Sequence, residues 1–139
     1  MIKRLLLSVF FVTLSFVGGV ASIAGVIDRK SGDYIPVPRM IAPVTSEVNI
    51  SGEREVSFKW DAHAGRNDPG RFYIFRLYSG KQATEDALMV KEELASEAGI
   101  SISSERFVPG QFYTWSVQQG YTGKGKSDKG YQTFQVIKE

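Results

Sequence analysis

Phe107-Val-Pro-Gly-Gln-Phe-Tyr-Thr-Trp-Ser-Val117 reads as a tight turn that runs into a strand. Proline presets one turn position and glycine accepts the left-handed one, so Pro109-Gly110 is the turn pair. From Gln111 to Gln119, Tyr113, Trp115 and Val117 fall on one face, and Phe112, Thr114, Ser116 and Gln118 fall on the other. A period of two is a strand signal, and the heavy aromatic load on one side marks that side as the core face. Val56, Phe58 and Trp60 alternate with Ser57 and Lys59 in the same way. In Phe72–Tyr78, Tyr73, Phe75 and Leu77 point one way and Phe72, Ile74, Arg76 and Tyr78 the other. Both of its faces carry large apolar groups, which predicts a central strand.

Weaker runs extend the pattern. Ile100 and Ile102 alternate with Ser101 and Ser103, and Tyr131–Ile137 turns Phe134 and Val136 inward. The first run, around Met40, Ile41 and Val44, sits among Pro36, Pro38 and Pro43. Proline cannot donate to a sheet ladder, so this is an edge strand. Residues 84–98 read two ways. Ala87, Val90, Leu94 and Ala98 have helical spacing with Gly99 as a stop, while Leu88 and Val90 would also serve a short edge strand. Propensity alone favours the helix. Short strands separated by turn signals predict an all-β, two-sheet antiparallel β-sandwich of about seven strands.

The amino terminus is read separately. Lys3 and Arg4 precede the uncharged apolar run Leu5–Val17; Gly18 and Gly19 break it, and Ala21-Ser22-Ile23-Ala24 supplies small residues. That is the layout of a helical secretory signal peptide over 1–24. The alternative is an uncleaved membrane anchor to about residue 27, since no charge occurs from Leu5 to Ile27. Both readings place the folded part outside the cytoplasm, whether periplasmic, secreted or at the cell surface. The membrane is then touched only through this segment. Residues 25–35 read as a linker and 36–139 as the folded domain.

The 139 residues contain no cysteine, which excludes disulfides, thiolate metal sites and a cysteine nucleophile. The formal charge of +2 comes from Lys3 and Arg4; without residues 1–24, 15 bases balance 15 acids. A neutral domain gives no support for nucleic-acid binding.

These residues resemble a fibronectin type III-like domain over about Pro36–Glu139. The resemblance is carried by the proline-rich first strand, Val56-Ser-Phe-Lys-Trp60, Phe72-Tyr-Ile-Phe-Arg-Leu-Tyr78, the Pro109-Gly110-Gln-Phe-Tyr113 step, and a glycine-rich loop leading into Thr133-Phe-Gln-Val136. It implies that Tyr113 forms a tyrosine corner, bonding back to the backbone. It implies that Trp60 and Trp115 pack between the sheets, and that Leu88–Leu94 is strand C′. Architecture alone does not give activity.

No catalytic, cofactor or metal constellation stands out. Gly120-x-x-x-x-Gly125-Lys126-Ser127 fits the phosphate-loop pattern, but that mechanism needs a helix after the loop and a β-run follows instead. The expectation is a hairpin loop. His63 is the only histidine and cannot build a multi-histidine zinc site. The spacing of Asp61, Asn67 and Asp68 fits no calcium loop. Asn49-Ile50-Ser51 is a glycosylation sequon, meaningful only in a host that glycosylates exported chains.

Two surfaces remain as candidate binding sites. The first is the end where the B–C loop (Asp61–Gly70) and the F–G loop (Gly120–Gly130) should meet, gathering His63, Arg66, Arg71, Tyr121, Lys124, Lys126 and Lys129. The second is the outer face of the C–F–G sheet, formed by the runs Phe72–Tyr78, Gln111–Gln119 and Tyr131–Ile137, where alternation places Ile74, Arg76, Tyr78, Thr114, Ser116, Gln118, Tyr131, Thr133 and Gln135. Tyrosine and arginine among small polar groups suit a protein interface. The expected function is therefore a non-catalytic exported protein-interaction or adhesion module, an accessory subunit of an envelope or surface assembly. The alternative is a carbohydrate-binding module that stacks sugars on Tyr78 and Tyr131.

Overall fold

Nine strands occur among the described residues, in chain order β1 (Arg39–Ala42), β2 (Glu47–Asn49), β3 (Glu55–Asp61), β4 (Arg71–Ser79), β5 (Leu88–Leu94), β6 (Gly99–Ser103), β7 (Phe112–Tyr121), β8 (Gly125–Lys126) and β9 (Gly130–Ile137). The structure is a computed structural model that describes residues 34–61, 69–95 and 97–139. The strands form an all-β two-sheet sandwich. One sheet has the order β1-β3-β6 and the other β2-β9-β7-β4-β5, with β8 beside β7. The expected seven strands are present as β1, β3, β4, β5, β6, β7 and β9. The two additions, β2 and β8, are too short to show a period in the sequence. The helical segment expected before the domain lies outside the described residues, and no helix among the described ones is long and apolar enough to cross a membrane.

Alternation drives the packing. Along β3 every second residue is buried, so Val56, Phe58 and Trp60 face inward while Glu55, Ser57 and Lys59 face water. Facing them are Tyr73, Phe75 and Leu77 from β4, and Tyr113, Trp115 and Val117 from β7, all buried. The aromatic rings meet in one layer. Phe58 lies 5.0 Å from Phe75 and 5.3 Å from Trp115 between centroids, and Trp60 lies 5.5 Å from Tyr73. Offset and edge-on ring pairs at such distances add about 0.5–1.5 kcal/mol each beyond their buried area.

The tyrosine corner is present. Val108 donates its backbone N–H to the Tyr113 hydroxyl at 2.7 Å, five residues back along the chain. The turn before it depends on Gly110, whose φ of 90° is a conformation that side chains disfavour. The first strand is an edge strand, as its prolines require. It ends at Pro43, and the chain then crosses to the other sheet, where β2 runs parallel to β9. Trp115 fixes the crossing by donating its indole N–H to the Pro43 carbonyl at 3.0 Å.

Residues 84–98 resolve against the helical spacing. A short turn over Glu85–Ala87 leads into β5, which pairs antiparallel with β4 from Tyr73↔Leu94 to Tyr78↔Leu88. Met89, Val90 and Leu94 pack against the core. Burying these groups on an existing sheet edge outweighs a helix preference worth a few tenths of a kcal/mol per residue.

Candidate binding surfaces

Gly70, just before β4, lies beside Thr122 of the β7–β8 hairpin. The Thr122 amide and hydroxyl both donate to the Gly70 carbonyl, at 2.9 and 3.1 Å. His63, Arg66 and Asp68 lie outside the described residues. The residues matching the phosphate-loop pattern form a β-hairpin, with Gly120 opposite Lys126 and Tyr121 opposite Gly125. Ser127, the hydroxyl such a loop would offer to a metal, is buried and committed. Its Oγ accepts from the Gln119 amide at 3.1 Å and donates to the Asp128 carbonyl at 2.7 Å, while its own carbonyl accepts from Gln118 Nε2 at 2.7 Å. Gly120 is required below it. A Cβ there would stand 2.6 Å from Phe72 Cζ and 2.9 Å from the Gly125 carbonyl oxygen. This anchored hairpin holds Lys124, Lys126 and Lys129 out in water, with Tyr121 half-buried at its base.

Arg71 does not join the exposed cations, which corrects the expectation for it. It is 8% exposed, with its guanidinium 5.6 Å from the centre of the Tyr73 ring. The physical reason is phase. Arg71 is two residues before Tyr73 on the same strand, so it points to the core side. Burial pushes the Tyr73 hydroxyl above its ordinary pKa, and Arg71 pulls it partly back. Asp61 is also taken, paired with Arg39 on the neighbouring strand at 3.2 Å.

Beneath this loop end the core turns polar. Among the described residues, Trp60 Nε1, Tyr73 Oη and Gln119 Oε1 are buried and find no hydrogen-bond partner. Tyr73 sits opposite Gln119 across the β4–β7 pair, and the Gln119 amide nitrogen donates to the Pro36 carbonyl at 2.6 Å. Sequence reasoning missed Gln118, Gln119 and Ser127 as anchors; the available signal was a glutamine in phase with Val117 and Trp115.

The C–F–G face differs more from expectation. Tyr131 (48% exposed) and Thr133 are accessible, and Arg76 and Gln135 are half-buried. Ile74, Tyr78, Thr114, Ser116 and Gln118 are buried, against the predicted wet face. Alternation assigns a side of the sheet but not a depth. Ser116 is small and lies between Arg76 and Tyr131 on the adjoining strands, and Thr114 lies between Tyr78 and Thr133, its hydroxyl 2.8 Å from that of Thr133. Ile74 lies between Glu93 and Gln118. Gln118 is held across the sheet, accepting from Arg76 Nη1 at 3.2 Å. Burial also raises the pKa of the Tyr78 hydroxyl, with Arg76 opposing it. At 4% exposure, Tyr78 presents no ring face to a sugar.

With β6-β3-β1 facing β5-β4-β7-β9, a chain that changes sheet after β1, and a tyrosine corner, the fold is a fibronectin type III-like β-sandwich. No family model matches the chain, and no curated protein matches it. Among solved structures, a computationally redesigned β-sandwich protein is similar at 12% identity and a TM-score of 0.49, covering 73% of this chain and 87% of that one. The FN1–FN3 domains of chicken CNTN1 are similar at 15% identity and a TM-score of 0.46, over 73% of this chain. This chain spans 34% of the length of that one.

Proposed function

We propose that the protein is a non-catalytic, exported protein-interaction module that presents its F–G hairpin to an acidic surface on a protein partner. One observation carries the reading. Three exposed lysines, Lys124, Lys126 and Lys129, stand on a hairpin that buried hydrogen bonds of Gln118, Gln119 and Ser127 hold in place. A loop ordered before contact loses less entropy on binding than a free one. Fixed positive charge on it speeds encounter with an acidic patch and confers salt sensitivity. Export rests on the signal-like residues 1–24, and an accessory role in an envelope or surface assembly is the reading that joins export to a lysine-bearing contact surface. No group of three or more metal-capable side chains occurs among the described residues. The carbohydrate reading is left with Tyr131 alone, because Tyr78 is buried.

The test is affinity capture from native membranes and secretions with the full chain as bait. A specific protein partner is expected, lost at least about tenfold when Lys124, Lys126 and Lys129 are all changed to Glu, a difference of about 1.4 kcal/mol. The melting temperature should not change, because all three side chains are in water. Equal capture by the parent and the triple variant would rule out the hairpin as the contact.

A further inference from the structure

The sandwich has an opening in its β1-β3-β6 sheet that the lysine hairpin does not involve. The register of β1 on β3 runs from Arg39↔Asp61 to Ala42↔Lys59 and stops there. Pro43 then carries the chain to the other sheet, so the first half of β3 has no neighbour on that side among the described residues. In a strand, a residue's N–H and C=O point to the same side, and the side alternates. The Trp60 amide donates to Ala98, on the β6 side. Phe58 and Val56 are in phase with it, so Ser57 and Glu55 direct their backbone donors and acceptors away from β6, over the gap.

The gap is also a groove of about 270 Å³. Pro43, Val48, Ile50 and Val56 give it an apolar floor, and Glu53 and Glu55 stand at its rim. Both acids are exposed, while Val56 and Ile50 are buried. The volume falls below the roughly 300–1,000 Å³ usual for small-molecule sites. It suits one aliphatic side chain beside an added backbone.

We propose that this gap is a strand-addition site, in which an extended segment of a protein partner pairs antiparallel with Glu55–Ser57. Directly opposed residues of an antiparallel pair share a face of the sheet. The side chain opposite Val56 therefore enters the groove and is Val or Ile. The one opposite Glu55 lies on the wet face and is Lys or Arg, completing a cross-strand ion pair. The one opposite Ser57 is Thr or Ser. Read along the partner from its amino end, the recognised order is Thr-Val-Lys. Backbone pairing of this kind supplies affinity, and the alternating pockets supply selectivity.

The probe is the capped peptide Gly-Ser-Thr-Val-Lys-Ser-Gly, added to the full chain and followed by amide-resolved NMR. Shifts and slowed exchange are expected at the Glu55 and Ser57 amides. N-methylating the peptide lysine keeps its charge but removes the N–H that pairs with Glu55, and should weaken binding at least about tenfold. Glu55→Lys should reverse the preference, favouring the Thr-Val-Glu peptide. Absence of shifts at these amides with peptide in the millimolar range would overturn the proposal. So would equal binding by the N-methylated peptide, which would mark the contact as charge alone.

Discussion

The two ends of the sandwich are built to different standards. At the corner end the polar groups close on one another. The Tyr113 hydroxyl holds the Val108 amide, the Gly110 amide donates to the Val136 carbonyl at 2.7 Å, and the Gln135 side chain donates to the Gly110 carbonyl at 3.0 Å. Phe107, Tyr113 and Phe134 pack together beneath, with Phe107 and Tyr113 edge-on at 4.9 Å. At the loop end Arg71 is buried, and Trp60 Nε1, Tyr73 Oη and Gln119 Oε1 find no partner among the described residues. Each such atom gives up its hydrogen bonds to water without regaining them in the fold. Departures from packing rules collect where a protein does something other than fold. The difference between the ends fits the proposed division, with the fold held at the corner and the partner met at the loops.

If the corner end holds the fold, damage there should be costly. Phe107→Ala removes a buried ring that touches Tyr113, Phe134 and Phe58. The expected loss is about 3–5 kcal/mol, read from the midpoint of urea unfolding. A loss below about 1 kcal/mol would mean the corner end is no more critical than the surface.

The corner was legible in the sequence for a local reason. Pro109-Gly110 and Tyr113 lie within five residues, so turn chemistry and strand phase can be read from one short window. The core was legible because Phe58, Trp60, Phe75 and Trp115 repeat at a period that no helix shares. β5 was not legible from its own residues, since what makes it a strand is its pairing with β4, and its Glu- and Leu-rich composition argues locally for a helix. The candidate surfaces fared worse for a related reason. Period-two reading placed Ile74 and Ser116 on the outer side correctly, but their burial depends on the sizes of Arg76, Glu93 and Tyr131 on other strands. Arg71 was assigned to the loops by its position in the chain, although its phase with Tyr73 already pointed it inward. The gap beside Glu55 follows from where Pro43 takes the chain, which no window around Glu55 contains.

A smaller effect isolates the corner bond from its packing. Tyr113→Phe keeps the ring against Phe107 and Phe134 and removes the acceptor of the Val108 amide. The expected loss is about 1 kcal/mol, the usual net worth of one hydrogen bond. Water can reach Val108, which is 56% exposed, so the freed amide is not stranded and the cost should not rise much above that. A stability unchanged within about 0.3 kcal/mol would show that the corner acts through the ring alone.

The matching change at the loop end should cost almost nothing at neutral pH and show itself only in alkali. The Tyr73 hydroxyl is buried and has no hydrogen-bond partner among the described residues, so Tyr73→Phe deletes a group that they leave unsatisfied and keeps the ring against Trp60. Stability should stay level or rise slightly. The pH dependence supplies a second reading of the same atom. Burial raises the folded pKa of Tyr73 above its ordinary value of 10.0. Below pH 10 the hydroxyl is neutral in both states and its contribution is fully present. As pH rises past 10 the unfolded chain ionises first, and stability falls until the folded pKa is passed. Tyr78, also raised by burial, adds to the decline in both proteins. Tyr73→Phe removes one of these two drains, so its advantage over the parent should widen steadily above pH 10 in paired urea titrations. Parallel decline of the two would mean that the Tyr73 hydroxyl is hydrated in solution, and the contrast between the satisfied and unsatisfied ends would lose its sharpest member.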